Sequence, residues 1–304
     1  MADAPDSAQA CYLQAEDGVQ LRLTRLATGG RGTILLFPGR AEVAEKYGRT
    51  ARALTDHGFG VLTIDWRGQG LSDRLTPDPL LGHVANFADY QRDVASMLDA
   101  ADALDLPRPH LLLAHSMGAC IALRALIEGM EMRAVAFSAP LWGLPLQGPM
   151  RLAVRALASG RRILRRAPRA VPAAEERFRL AIMHFDDNEL TSDRTAFEHM
   201  RQQVRAHPEL QLGRPSLNWL AAALHETRRL AALPAPDIPA YAGVGSREKV
   251  VDPGAITARM ESWPNGRIEV FAGGEHELMM EAPEIRDRYI AAVVQHFEAN
   301  LPAS

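Results

Sequence analysis

Leu111-Leu112-Leu113-Ala114-His115-Ser116-Met117-Gly118-Ala119-Cys120 is the stretch that decides how this chain is read. An apolar strand runs through Ala-His-Ser-Met-Gly straight into a helix-forming segment. A serine on such a strand-to-helix turn has its hydroxyl lifted above the sheet, and the N–H that follows it is free to hold an oxyanion. Ser116 is therefore the candidate nucleophile and the Met117 N–H a candidate oxyanion donor. Ala114 stands where the G-x-S-x-G pattern has its first glycine, a position that needs a small side chain. Gly118 keeps the second glycine, where bulk would collide. The competing reading is a plain serine N-cap, satisfying the first free N–H groups of a helix. A base and an acid further along the chain decide between the two.

Working outward, residues 32–37, Gly-Thr-Ile-Leu-Leu-Phe, and 60–65, Gly-Val-Leu-Thr-Ile-Asp, are continuous apolar runs, as expected of strands buried on both faces. Residues 133–137 make a further strand. Helix patterns cover 42–57, 86–106 and 117–129, so strands alternate with helices and predict a mostly parallel, doubly wound sheet. A hairpin about Glu16-Asp17-Gly18 opens the chain at 11–26. The alternation stops between 141 and 236, where helix-like segments occur with no buried strand between them. It returns with strands near 238–244 and 267–271 and helices near 253–263 and 284–301. The expected organisation is an α/β core of 1–140 and 237–304 with a helical cap inserted at 141–236.

The last strand is followed by Ala272-Gly273-Gly274-Glu275-His276-Glu277, a loop that presents His276 at the carboxyl edge of the sheet, where a general base belongs. The strand before it leads into Gly245-Ser246-Arg247-Glu248-Lys249-Val250-Val251-Asp252, which offers two carboxylates. Glu248 is nearer the strand end. Asp252 is the alternative acid, with a competing role as N-cap of the helix opening at Pro253. Serine, acid and histidine then follow in that chain order. The serine needs the imidazole to take its proton, and the imidazole needs a carboxylate to fix its tautomer. The loop after Phe37 lies beside the elbow in such folds, which makes the Arg40 N–H the second oxyanion candidate.

Composition narrows the partners. The chain has 304 residues, a hydrophobic fraction of 47% and a formal net charge of −3, so no global basic field points to nucleic acid. Two cysteines, Cys11 and Cys120, cannot form a disulfide framework or a metal-ligand pattern, and no metal or cofactor is expected. No segment approaches the roughly eighteen apolar residues of a membrane span, and residues 1–11 do not resemble a targeting peptide. A cytoplasmic protein is expected. Of 34 basic residues only Lys46 and Lys249 are lysine. Arginines 151, 155, 161, 162, 165, 166 and 169, interleaved with aliphatic residues, form a basic amphipathic stretch that is read either as a contact with anionic membrane or as a solvated face in an arginine-biased chain.

These residues resemble a family, the monoglyceride lipase and lysophospholipase group of α/β-hydrolases, with a serine aminopeptidase S33-like domain. The likeness runs nearly end to end. Gly39-Arg40-Ala41-Glu42 with Glu45-Lys46-Tyr47 is similar to the family's HGxxE segment, and Asp65-Trp66-Arg67-Gly68-Gln69-Gly70-Leu71-Ser72 to its DxRGxGxS loop. Leu190-Thr191-Ser192-Asp193 and residues 212–220 are similar to its cap. The resemblance implies an α/β-hydrolase fold and hydrolysis of carboxylic esters of single-chain glycerolipids, monoacylglycerol or lysophospholipid. It places the nucleophile at Ser116, the acid at Glu248, the base at His276 and oxyanion donors at Arg40 and Met117. Departures are Phe37-Pro38 in place of a histidine before the glycine, Ala114 for glycine, and Glu248 for the commoner aspartate. Acyl transfer, short-chain ester hydrolysis and a non-catalytic ligand-binding role are the alternatives on the same fold. The DxRGxGxS loop is read mainly as a turn-shaping element, and His115 as packed away from the nucleophile.

Overall fold

The structure, a computed structural model, describes residues 3–146, 148–149, 152–154, 156, 168–171 and 179–302. The apolar runs around the elbow assemble into one eight-stranded sheet. Strands β1 (Gln9–Gln14) and β2 (Gln20–Ala27) form the opening hairpin, with Gly18 at φ +82° in its turn. Then come β3 (Thr33–Phe37), β4 (Gly60–Asp65), β5 (His110–His115), β6 (Val135–Ser138), β7 (Ala240–Gly245) and β8 (Gly266–Phe271). Their spatial order is β1-β2-β4-β3-β5-β6-β7-β8. The β1–β2 and β2–β4 pairs are antiparallel, and all the others are parallel. Every residue of β3, β4 and β5 is buried, which is why these strands read as unbroken apolar runs.

Helices cover both faces. They are α1 (Gly48–Thr55), α2 (Tyr90–Ala103), α3 (Met117–Ile127), α4 (Arg179–Ile182), α5 (Arg194–Ala206), α6 (Leu217–Ala231), α7 (Pro253–Glu261) and α8 (Pro283–Ala299). One core layer joins α1 and α8 through Leu54, Val293 and Phe297. The other joins α2, α3, α6 and α7 through Met97, Leu123, Trp219 and Ile256. Apart from Arg124 and Ile127, α3 is buried along its length, so the elbow helix is held from all sides. The sheet and these layers make the α/β-hydrolase architecture.

Several boundaries shift from the sequence pattern, two of them beside the site. The helix expected from residue 42 begins as a short 3-10 turn at Ala44–Tyr47 and becomes α-helical only at Gly48. Residues 39–42 are drawn into a hydrogen-bonded loop beside the elbow, and regular i to i−4 bonding starts after it. The strand expected from Arg133 begins at Val135. Between β6 and β7 the described residues form helices and no named strand, with only isolated bridges Gly82–Pro215 and Ala170–Ser216. Arginines 151, 155, 161, 162, 165 and 166 lie outside the described residues, whereas Arg169 is exposed. Among the described residues no helix is long and apolar enough to cross a membrane.

Candidate active site

The elbow is built from a strained residue between two regular elements. Ser116 has φ 47° and ψ −116°, a conformation L-residues rarely adopt and one that surrounding structure must enforce. Enforcement comes from main-chain bonds: Ser116 N–H donates to Ser138 O at 3.1 Å, and Ser116 O accepts from Leu141 and Ala119 N–H at 2.9 and 3.1 Å. Gly118 is needed for a different reason. A Cβ there would lie 2.2 Å from Phe37 O and 2.4 Å from Pro38 O, so the missing side chain is what lets the β3 loop close onto the elbow.

Ser116, His276 and Glu248 meet at the carboxyl edge of β5, β7 and β8. His276 Nδ1 lies 2.7 Å from Glu248 Oε2, and His276 Nε2 lies 3.0 Å from Ser116 Oγ. A carboxylate can only accept, so Nδ1 carries the proton and the Nε2 lone pair faces the serine hydroxyl. Glu248 is itself held, its Oε1 accepting from Val250 and Val251 N–H at 2.6 and 3.0 Å. Burial raises its pKa, but the hydrogen bond from His276, with these two amides, outweighs it and lowers the pKa, so the carboxylate stays ionised. Asp252 is engaged elsewhere: its Oδ1 accepts from Gly254 and Ala255 N–H at 3.0 and 3.3 Å, capping α7.

The β3 loop has nearly all its polar groups assigned. Trp66 Nε1 donates to Pro38 O at 2.9 Å, Gly39 N–H donates to Glu42, and Gln69 Nε2 donates to Gly39 O at 3.0 Å. Gln69 Oε1 accepts from Ala41 N–H at 3.2 Å, with Ala41 in the left-handed region at φ 62°. The Arg40 and Met117 N–H groups are left without an acceptor among the described residues. Here Gln69, one residue of the loop read as turn-shaping, directly grips the segment beside the elbow. The rest of that loop is structural as expected: Asp65 accepts from Leu71 and Ala44 N–H, and Arg67 pairs with Asp17 and Asp93.

Beneath the elbow lies a buried ion cluster that the sequence reading missed. Lys46 Nζ sits 2.6 Å from both Glu42 Oε1 and Glu277 Oε2, and His115 Nε2 lies 3.3 and 3.2 Å from the same two oxygens. Tyr47 OH also donates to Glu42. His115 Nδ1 lies 3.0 Å from Ser138 O, an acceptor, so that nitrogen carries a proton, while Nε2 makes no hydrogen bond and lies at ion-pair distance from the two carboxylates. Burial pushes the His115 pKa down, but Glu277 and Glu42 outweigh it and raise it to about 10. His115 is packed, as expected, yet as an imidazolium whose ring centroid is 4.8 Å from that of His276. Two cations thus face two anions. Each cluster loop also carries a site group: Glu42 the Gly39 amide, His115 the adjacent Ser116, and Glu277 the adjacent His276. Among the described residues Glu42, His115 and Glu277 are the one group of three such side chains with ligand-type atoms all within 4.8 Å of one another, and the Lys46 ammonium already fills a cation's place there. The available signal was Lys46, one of only two lysines among 34 basic residues. A compact ammonium fits between two carboxylates where a planar guanidinium does not.

A cavity of about 470 Å³ opens over Ser116 and His276, walled by Leu141, Leu180, Met183, Met200, Val204 and Trp219 among others. Five of these side chains come from the segment between β6 and β7 beyond residue 179. The Leu190-Thr191-Ser192-Asp193 motif clasps that segment to the His276 loop. Thr191 Oγ1 donates to Met280 O at 2.7 Å, Ser192 Oγ to Glu281 at 2.6 Å, and Glu277 N–H to Leu190 O at 2.8 Å.

Residues 29–283 match the family described as serine aminopeptidase, S33. The chain is 31% identical over 291 residues to a probable lysophospholipase L2 of Haemophilus influenzae, covering 94% of this chain and 90% of that one. It is 30% identical over 296 residues to lysophospholipase L2 of Escherichia coli K12, covering 92% and 85%. A soluble variant of monoglyceride lipase from Saccharomyces cerevisiae, solved with a substrate analogue, superposes with a TM-score of 0.75 at 18% identity over 96% of each chain, which shows the shared fold. The chain has the α/β-hydrolase fold, belongs to the serine aminopeptidase S33 family together with the lysophospholipase L2 proteins, and is an ester hydrolase.

Proposed function

We propose that the protein hydrolyses the carboxylic ester of single-chain glycerolipids, lysophospholipid or monoacylglycerol, through an acyl-enzyme on Ser116. The observation that carries this reading is the Glu248–His276–Ser116 hydrogen-bonded chain ending in an apolar cavity. Ser116 Oγ attacks the ester carbonyl as His276 Nε2 takes its proton, and Glu248 stabilises the imidazolium that results. The oxyanion is held by the Arg40 and Met117 N–H groups. His276 then returns the proton to the departing glycerol oxygen, and the same groups activate a water that releases the fatty acid. Residues 141–236 act as a cap that gives the acyl chain a dry site. The resemblance of the named relatives to this chain supports a lipid substrate.

The test is fatty-acid release by the purified protein from a lysophosphatidylethanolamine and a monoacylglycerol. Ser116→Ala is expected to abolish turnover and covalent capture by a fluorophosphonate. Turnover that persists in Ser116→Ala, or wild type inert toward both lipids, sinks the reading. In the same reading the arginines between 151 and 169 draw the protein to anionic headgroups in the cytoplasm, each cation adding about 1 kcal/mol. Sedimentation with phosphatidylglycerol vesicles at low and high salt measures that contact.

A further inference from the structure

We propose that the Arg40 guanidinium is a phosphate subsite, which makes a lysophospholipid a better substrate than a neutral monoacylglycerol of the same chain length. This rests on the ester-hydrolase reading above and adds the headgroup class to it.

Arg40 is a part-buried cation lining the cavity that is left with open donors among the described residues. Arg22 holds Glu45 and Asp65, and Arg67 holds Asp17 and Asp93. Arg74 and Arg259 fill their forks with main-chain carbonyls, of residues 68, 70, 209 and 211 for the first and of Leu230 and Leu233 for the second. Lys46, which also lines the cavity, has two carboxylates. Arg40 makes one hydrogen bond, from Nη2 to Gly213 O at 2.6 Å, and stacks with its Cζ 5.3 Å from the centre of the Trp219 ring. Its Nε is buried without an acceptor, Nη1 has none among the described residues, and none of their carboxylates is within ion-pair distance. Burial without a counter-charge pushes its pKa down to about 10, so it remains a cation at neutral pH. A desolvated cation with open donors is completed by an anion, and a guanidinium matches phosphate oxygens two at a time.

The reach also fits. The Arg40 main-chain N–H faces the ester oxygen in the proposed mechanism, and its side chain carries the guanidinium about five bonds away from Cα. In a lysophospholipid, phosphorus stands six bonds from the ester carbonyl carbon across the glycerol. Both arms span roughly 6–7 Å at ordinary bond lengths. Glu189 also lines the cavity. It is a place where a headgroup amine would add to binding, so the phosphate effect is read with and without such an amine.

The experiment compares kcat/KM of the full chain on palmitoyl lysophosphatidylethanolamine, palmitoyl lysophosphatidylglycerol and monopalmitoylglycerol in matched nonionic micelles. The ratio of each phospholipid to the neutral ester cancels any loss at the oxyanion hole that the three share. Arg40→Met is expected to lower both ratios about 10-fold or more, mostly through KM, and Arg40→Lys to recover part of the loss. Unchanged ratios in folded Arg40→Met and Arg40→Lys proteins overturn the proposal, as does a wild type that cleaves the neutral ester and neither phospholipid. A second arm needs no turnover: dodecylphosphocholine should raise the melting temperature of Ser116→Ala more than that of the Ser116→Ala, Arg40→Met double variant. If no ester is cleaved, the reading of the reaction falls and this arm alone decides the subsite. Arg40-dependent stabilisation then supports it, and equal responses overturn it.

Discussion

The floor of the site and its wall are built on opposite principles. Below Ser116, Glu42, Lys46, His115 and Glu277 are buried at ion-pair distances and lock three loops against one another. Above it, the cavity is lined by flexible aliphatic side chains such as Met183, Met200 and Leu180, fastened at its margin by a few hydrogen bonds to the His276 loop. Directional bonds hold atoms to tenths of an ångström, as bond-making requires. Apolar contact is graded and forgiving, as binding a chain of methylenes allows. Damage to the floor should therefore be steep and shared by all substrates, whereas damage to the wall should be shallow and depend on chain length.

The steepest break is expected from Gly118→Ala. Its Cβ would press on the Phe37 and Pro38 carbonyls and push the Arg40 amide out of place, costing about 10²-fold in kcat on every ester, with KM little changed. Steady-state kinetics on short and long esters reads this directly. Next is Glu277→Gln, which leaves Lys46 and His115 with one carboxylate between them; breaking a buried pair in this way costs about 3–5 kcal/mol, measured by urea unfolding. The cluster also has a pH signature. Because the folded His115 pKa is raised to about 10, its stabilisation is complete below the ordinary histidine value of about 6.5 and is lost as pH rises from there toward about 10. Urea midpoints should decline across that window in wild type and decline less in His115→Gln; parallel curves would contradict a charged His115.

On the wall, Met200→Trp should shorten the preferred acyl chain, each excluded methylene lowering affinity by ~0.8 kcal/mol, or about 4-fold. A series of p-nitrophenyl esters from four to sixteen carbons would show it, and an equal loss at all lengths would place Met200 with the floor. The smallest effect belongs to Asp252→Ala. Removal of this helix cap is expected to cost about 1 kcal/mol of stability and leave the pH–rate profile unmoved, in contrast to Glu248→Gln.

The difference between floor and wall also explains what could be read in advance. Ser116, Glu248 and His276 each follow a strand, and strand ends are visible locally in sequence. So was the doubly wound order, because β3, β4 and β5 are buried on both faces and are apolar along most of their length. The cluster was not visible, because its members are separated by up to 235 positions between Glu42 and Glu277 and meet only once the sheet has formed. The late start of α1 has the same origin. A helical pattern runs through 42–57, but Glu42 is worth more as acceptor for Gly39, Lys46 and Tyr47 than as a first helical turn. Gln69 was hidden for a related reason: within the glycine-rich loop nothing local marks a side chain that reaches across to another strand's loop.

Lys46 also has a practical consequence. Its ammonium is almost entirely buried and held protonated by two carboxylates, so an amine-directed reagent should find it a poor nucleophile in the folded protein. The other lysine, Lys249, is exposed and adjoins Glu248. An acylating dye applied to the native chain should modify this exposed lysine first, next in sequence to Val250 of the cavity wall, and a fluorophore fixed there is expected to report the arrival of a lipid without any engineered cysteine.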